Sequence, residues 1–427
     1  MASRDRLEQA LARIADASGE RVRTYLTLYA TAARDAADAA DGRARAGTSL
    51  GPLDGAIVSI KDLFDVAGEP TRAGSKVLAD AAPATDDAPV VQRLRNAGAV
   101  IVGKTNMSEF AFTGVGVNPH YGTPASPADS TRVPGGSSSG AAVAVADGMC
   151  EIAIGTDTGG STRIPAALCG LVGYKPTKSR VPTQGAFPLS LTLDSVGPIA
   201  RNVAACARAD AVLAGEDPWR LEPFALGGLR LGIPQGLPLA DLDETVAAGF
   251  GTALDRLGRA GVCLSDAEFP IFDDMARVQS AATIATVEAY HLHCEWLAMR
   301  GADYDPIVAS RIETGSAVSA AGYAQMLADR SELVRAMDAL LSKLDALVLP
   351  TTPIVAPTLA EVSTPIGFNA RNRLLLRNTA IANFFDLCAI SLPLPRSDGL
   401  PTGLMLLARQ GHDRQLFRIA AAVEQLL

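Results

Sequence analysis

Two clusters of small residues carry the serines best placed for chemistry. The first, VPGGSSSGAAVAV, holds Gly135, Gly136, Ser137, Ser138, Ser139 and Gly140. The second, GTDTGGSTRIPAA, holds Thr158, Gly159, Gly160, Ser161 and Arg163. Each is a glycine pair, then a serine, then a segment able to form a helix. Glycine lacks the Cβ that would block close approach, so such a turn lets several backbone N–H groups converge on one developing anion. A serine placed there can act as a nucleophile, with its own N–H and its neighbours' stabilising the oxyanion it creates.

A serine hydroxyl needs a base. The chain has only four histidines, at 120, 291, 293 and 412. Lysine is the other option. Lys61 ends the apolar run Ala56 to Ile60, which should place it in the interior. Burial disfavours the charged ammonium. Lowering a lysine from about 10.4 to about 7 takes roughly 4–5 kcal/mol, which full desolvation can supply. The neutral amine can then accept a proton relayed through a second hydroxyl.

Three segments in order, VSIKDLFD, PGGSSSG and GTDTGGSTRIPA, resemble the hallmark segments of the amidase signature family. Ser137 and Ser161 are 24 residues apart, which is the separation that family shows. The resemblance is strong from about 51 to 200, including GKTNMSEF and LCGLVGYKPT, and weaker from about 344 to the end. It implies a Ser–cis-Ser–Lys triad: Ser161 as nucleophile, Ser137 as bridging serine after a cis peptide from Gly136, and Lys61 as base. It also implies an oxyanion hole from the N–H groups of Thr158, Gly159, Gly160 and Ser161. The reaction would be hydrolysis of a carboxamide through an acyl-enzyme, with no metal or organic cofactor. The family also contains the glutaminase chain of the tRNA-dependent amidotransferase and allophanate-type hydrolases, so both are alternatives. Local sequence alone does not choose Ser137 over Ser138 or Ser139. Asp157 and Arg163 flank Ser161, and with Gly136 they are expected to support the loop. An Arg–carboxylate pair that braces a tight turn is preferred for them over direct substrate contact.

Other signals compete. Gly136 to Gly140 fits the G-x-S-x-G nucleophile elbow, which would make Ser138 the nucleophile and one of His291, His293 or His412 its base. The preceding PADSTRVP reads as loop, whereas an elbow follows a strand. Gly98 to Thr105, GAVIVGKT, matches the P-loop pattern of a nucleotide-binding protein. Its middle residues are those of a buried strand, so Lys104 reads as a strand-end lysine. HLHCE at 291–295 resembles a metal-ligand cluster but falls in an expected helix, where His293 points away from His291 and Glu295.

These side chains need a scaffold. The chain has 427 residues, 48% of them hydrophobic and 20% charged, enough for a sizeable core. Residues 1–50 read as two helices packed outside the core, and 51–427 as the main domain. Short buried strands are expected at 56–60, 99–104, 151–155, 229–234, 346–350 and 404–408. Helices are expected at 86–98, 242–260, 273–300, 320–343, 371–386 and 412–427. Alternation of this kind implies an α/β fold, a single large layered domain with a mixed central sheet covered by helices on both faces. The loop-rich stretches 114–140 and 155–198 hold the candidate residues.

A net charge of −8 argues against nucleic acid or anionic membrane as a direct partner. No stretch reaches 18 uninterrupted apolar residues, and the N-terminus lacks a signal-peptide core. The six cysteines are scattered with no C-x-x-C spacing, as expected for reduced cytoplasmic thiols. A small-molecule amide is the expected partner, and a homodimer is compatible with the sequence. Substrate-pocket walls are expected from 113–121, the turn after Pro176, and parts of 273–330 and 365–386.

Overall fold

The computed structural model describes residues 1–16, 23–395 and 399–427. Among them, eleven strands form one sheet. In chain order they are β1 Tyr25–Leu28, β2 Ile57–Lys61, β3 Val100–Thr105, β4 Ile152–Asp157, β5 Val172–Lys175, β6 Ser195–Ala200, β7 Arg230–Pro234, β8 Cys263–Ala267, β9 Ala346–Pro350, β10 Cys388–Pro393 and β11 Gly403–Ala408. Their order across the sheet is β1-β3-β2-β4-β6-β5-β10-β11-β9-β7-β8. The sheet is mixed. β3, β2 and β4 run parallel to one another, as do β9, β7 and β8, and the strands between them pair antiparallel.

Thirteen α-helices cover the sheet among the described residues: α1 Ser3–Ala15, α2 Ala30–Arg45, α3 Pro89–Asn96, α4 Ser139–Ala146, α5 Arg163–Cys169, α6 Val203–Ala214, α7 Glu244–Arg259, α8 Ile271–Val278, α9 Ile284–Arg300, α10 Pro306–Glu313, α11 Ala320–Leu341, α12 Pro365–Phe384 and α13 Asp413–Leu426. Both faces are covered because the central strands are apolar on both sides. In β11, Leu404 and Leu406 join one apolar layer with α6 and α13, while Met405 and Leu407 join another with α8 and α11. This is the period-two alternation of a pleated strand with a core on each face.

Local signals set the helix ends. The side chains of Asn202, Thr283, Asp305 and Thr364 each accept a backbone N–H in the first turn of their helix. Gly215 closes α6 at φ 72°.

Several expectations need correction. The segment expected to hold two helices, 1–50, also contributes β1, which pairs antiparallel with β3 at the sheet edge. The helix expected over 273–300 is two, α8 and α9, broken around 279–283 where Thr283 starts a new cap. The P-loop reading fails on geometry. Residues 100–105 are strand β3, paired with β1 and β2, so their N–H groups serve the ladder rather than a phosphate. The elbow reading fails too, because the described residues immediately before Ser138 form no strand.

Candidate active site

Two neighbouring parallel strands set the geometry. β2 and β4 pair in the register Ile60 with Ile154, so Lys61 at the end of β2 lies beside the end of β4. In open α/β sheets, sites form outside the carboxyl ends of such strands. The chain leaving β4 makes the Thr158–Ser161 turn and enters α5. The Gly135–Ser139 turn comes in from the side and enters α4. Ser138 N–H donates to the Ser161 carbonyl at 3.3 Å, which locks the two serine turns together.

Lys61 is fully buried, and its Nζ donates to Ser137 Oγ at 2.8 Å and Thr156 Oγ1 at 3.0 Å. Burial pulls its pKa from the usual 10.5 down to about 7, against the opposing pull of the Asp194 and Asp157 carboxylates. Near neutral pH it is therefore divided between ammonium and free amine. The Gly136–Ser137 peptide is cis. A Cβ on Gly136 would sit 2.7 Å from the Gly116 backbone, so only glycine fits there. The Ser137 carbonyl accepts from Ser108 N–H at 3.1 Å, and Gly136 N–H donates to the Gly114 carbonyl at 2.8 Å.

Ser138 and Ser139 are both buried but point elsewhere. Ser138 Oγ reaches the Thr156 carbonyl at 3.5 Å. Ser139 Oγ has no hydrogen-bond partner among the described residues. The choice left open by sequence is thus made by contact: Ser137 is the serine that meets Lys61.

Ser161 is nearly buried and lines a cavity of about 150 Å³ together with Thr158, Gly159 and Asn383. Among the described residues, the N–H groups of Gly159, Gly160 and Ser161 find no acceptor within the protein. Gly160 has φ 137°, and a Cβ on it would meet Thr379 Oγ1 at 2.2 Å. That hydroxyl donates to the Gly159 carbonyl at 2.6 Å and holds it.

Asp157 and Arg163 pair with each other beneath the turn. Arg163 Nη2 and Nε donate to the two carboxylate oxygens at 2.8 and 3.0 Å, and both residues are fully buried. Asn383 and Thr162 also donate to that carboxylate. Burial alone would raise its pKa. Arg163, those hydrogen bonds and Lys175 outweigh burial and hold it well below the usual carboxylate range. Arg163 further donates to the Thr379 carbonyl and Asn383 Oδ1, so α5 and α12 are tied at the site. Removing one partner of such a pair leaves an unpaired buried charge. Arg163→Met is therefore expected to cost about 3–5 kcal/mol of stability in urea unfolding. A loss below about 1 kcal/mol would show that the pair is not a brace.

Sequence reasoning missed four contributors. Thr156 holds Lys61. Asp194 accepts from the Thr158 hydroxyl and from the Leu189 and Ser190 N–H groups. Thr379 and Asn383, both on α12, hold the Ser161 turn. Thr156 lies inside the GTDTGGSTRIPA segment, but its contact with Lys61 shows only in three dimensions, and the other three act from distant points in the chain. The pocket walls come from 111–113, Leu189, Leu193, 279–286, Arg311 and 376–384. Of the expected 113–121 stretch only Thr113 lines the cavity.

The histidines lie apart from this site. His293 is buried against Phe110, Phe187, Trp296 and Tyr304, and its Nδ1 contacts the Tyr304 hydroxyl at 3.0 Å. Burial lowers its pKa to about 4. His120 contacts Glu109, and His412 contacts Gln415. None reaches Ser137, Ser138 or Ser161.

The Amidase family model matches residues 5–417. A 2-amino-5-chloromuconic acid deaminase from Comamonas testosteroni is 36% identical, covering 95% of this chain and 89% of that protein. The A subunit of glutamyl-tRNA(Gln) amidotransferase from Chloroflexus aurantiacus is also 36% identical, covering 98% and 92%. Among solved structures, one described as an amidase superposes with TM-score 0.89 at 32% identity, covering 100% of this chain and 96% of that one. The native peptide amidase from Stenotrophomonas maltophilia superposes with TM-score 0.81 at 30% identity, covering 100% and 93%.

Proposed function

This chain belongs to the amidase family of enzymes that hydrolyse amide C–N bonds, and we propose that it acts on a small carboxamide through an acyl-enzyme on Ser161. Ser161 Oγ attacks the amide carbon. Its proton passes to Ser137 Oγ as the Ser137 proton passes to the lone pair of neutral Lys61. One N–H of the amine still donates to Thr156 and keeps the lone pair aimed at Ser137. The tetrahedral oxyanion sits against the amides of Thr158 to Ser161. The C–N bond then breaks, and the proton returns from Lys61 through Ser137 to the leaving nitrogen. Water adds to the acyl-enzyme by the same relay and releases the acid. The observation that carries this reading is the 2.8 Å contact between Lys61 Nζ and Ser137 Oγ, with both groups fully buried beside the Ser161 turn.

The identity to a chain of the glutamyl-tRNA(Gln) amidotransferase favours a second reading, a glutaminase that works only with partner chains. Ammonia release by the purified chain from a panel of amides separates the two. The free-standing reading expects turnover by the chain alone. Glutamine turnover seen only after partner chains are added would favour the amidotransferase reading.

The scattered thiols fit a reducing cytoplasm. Among the described residues, no helix is long and apolar enough to cross a membrane. Sedimentation of the purified chain decides whether it works as a monomer or a homodimer.

A further inference from the structure

Asp194 stands just before β6, one residue beyond the last rung of the β4–β6 ladder, where Asp157 pairs with Ser195. Ser195 Oγ donates to the Asp157 carbonyl at 2.8 Å and pins the two chains together there. Asp194 therefore faces Thr158, the first residue of the Ser161 turn. One of its carboxylate oxygens accepts from the Thr158 hydroxyl. The other accepts from Leu189 N–H at 2.9 Å and Ser190 N–H at 3.1 Å. Thr158, Leu189 and Leu193 line the cavity with Ser161, so one carboxylate ties the oxyanion turn to the facing wall. The far side of that wall hangs on a second carboxylate. Glu288, on α9, accepts from the Ser190 and Thr192 hydroxyls, Thr192 N–H and the Tyr323 hydroxyl.

The charges are arranged unequally. Asp194 and Asp157 are the carboxylates whose fields reach Lys61. Asp157 is already neutralised by Arg163, with Lys175 near it. The three donors on Asp194 are a hydroxyl and two backbone amides, none of them a cation. Burial, with Glu288 in the same sense, raises the pKa of Asp194, and those three donors oppose it. An unneutralised carboxylate near a buried amine favours its ammonium form.

We propose that Asp194 is a positioning residue for the reaction at Ser161: through the Thr158 hydroxyl it holds the oxyanion turn against the cavity wall, and its negative charge stabilises the ammonium that forms on Lys61 when the relay delivers its proton. Asp194 makes no bond to Lys61 and acts on it through space, while Thr156 and Ser137 hold the amine. The proposal rests on the acyl-transfer reading at Ser161.

The test uses Asp194→Asn, Thr158→Val and Thr158→Ser. Three quantities are followed from pH 5 to 9: kcat and KM for the amide of the panel that turns over fastest, the rate of fluorophosphonate labelling, and the titration of Lys61 by NMR of its ε-carbon, assigned with Lys61→Met. Asp194→Asn should lower kcat by about 10- to 100-fold with KM within about 3-fold, and slow labelling by at least about 10-fold. It should also move the Lys61 midpoint and the acid limb of both rates to lower pH by about half a unit or more, because the ammonium has lost a favourable charge. Thr158→Val keeps that charge. It should lower kcat by about 10-fold with the limb in place, and Thr158→Ser should recover most of the loss. An Asp194→Asn enzyme with an unmoved Lys61 midpoint, or with kcat within about 2-fold of the wild type, would overturn the proposal. So would a Thr158→Ser enzyme no faster than Thr158→Val. If Asp194→Asn does not fold, Asp194→Glu replaces it. That variant keeps the charge and displaces the carboxylate, so an undiminished kcat or a shifted limb would overturn the proposal. If Ser161→Ala retains amide turnover, the acyl-transfer reading fails instead, and the NMR titration still decides whether Asp194 acts on Lys61.

Discussion

Replacing Ser161 by alanine is expected to lower kcat/KM for amide turnover by about 10⁴-fold or more while leaving the unfolding midpoint nearly unchanged. In the proposed mechanism Ser161 Oγ is the atom that forms the acyl bond. The bracing of the turn comes from other groups, namely Thr379, Asp157, Arg163 and Asn383. Any residual activity would come from the free amides of Gly159 to Ser161 and from substrate positioning. Ser137→Ala should fall nearly as far, because among the described residues Ser137 carries the only hydroxyl in contact with Lys61 Nζ other than that of Thr156. Ser138→Ala is the control. Its hydroxyl makes one long contact with the Thr156 carbonyl, so activity should stay within about 10-fold of the wild type. A Ser161→Ala enzyme with more than a tenth of wild-type activity would refute the nucleophile assignment.

Lys61 should show a second large effect, with a distinctive dependence on pH. In the proposed relay its amine acts as the base only when neutral. Because burial lowers its pKa to about 7, kcat/KM should rise roughly tenfold per pH unit below 7 and level off above it. Lys61→Met should lose about 10³-fold or more and lose that pH limb. The same substitution should stabilise the fold. From about pH 7, the folded-state pKa, up to 10.5, the ordinary value, the unfolded chain binds more protons than the folded one. Stability therefore rises with pH through that window. At pH 7 the buried lysine costs about 4 kcal/mol. Subtracting about 1 kcal/mol for each of its two hydrogen bonds leaves Lys61→Met about 2 kcal/mol more stable. The gain should vanish at about pH 9 and reverse above it, where the two hydrogen bonds outweigh the remaining cost of burial. A flat pH–activity profile down to pH 5 would require another base. A variant less stable than the wild type at pH 7 would mean that Lys61 is better solvated than its burial implies.

What sequence could say about this fold follows its physics. Lys61 was legible because it ends the mostly apolar run of β2, in which Ser59 is the one polar residue, and β3 was legible from its apolar start, Val100 to Val102. β6, SVGPIA, was not. It contains glycine and proline, which weaken strand propensity, yet it is buried at every position, with Pro198 opposite Ile154. Tertiary pairing with β4 overrides local preference there. β8 was missed for the opposite reason. It is a largely exposed edge strand with no apolar run to announce it. The break between α8 and α9 was hidden because GlnSerAlaAla does not look like a loop, although Thr283 is a clear cap. At the site, the serines and their loops were readable from glycine spacing. The choice of Ser137 over its neighbours was not, because it depends on which hydroxyl faces Lys61 in three dimensions. Arg311 falls in the 273–330 stretch expected to help wall the pocket, but nothing singled it out within that stretch.

The most direct test of the central claim is to trap the nucleophile. The wild-type protein is treated with a fluorophosphonate at pH 8, digested, and the modified peptide mapped by mass spectrometry. The account predicts a single stoichiometric adduct on Ser161. It should be absent in Ser161→Ala and form more slowly by at least about 100-fold in Lys61→Met. An adduct on Ser137, Ser138 or Ser139 in the wild type, or labelling of Ser161 at full rate without Lys61, would contradict it.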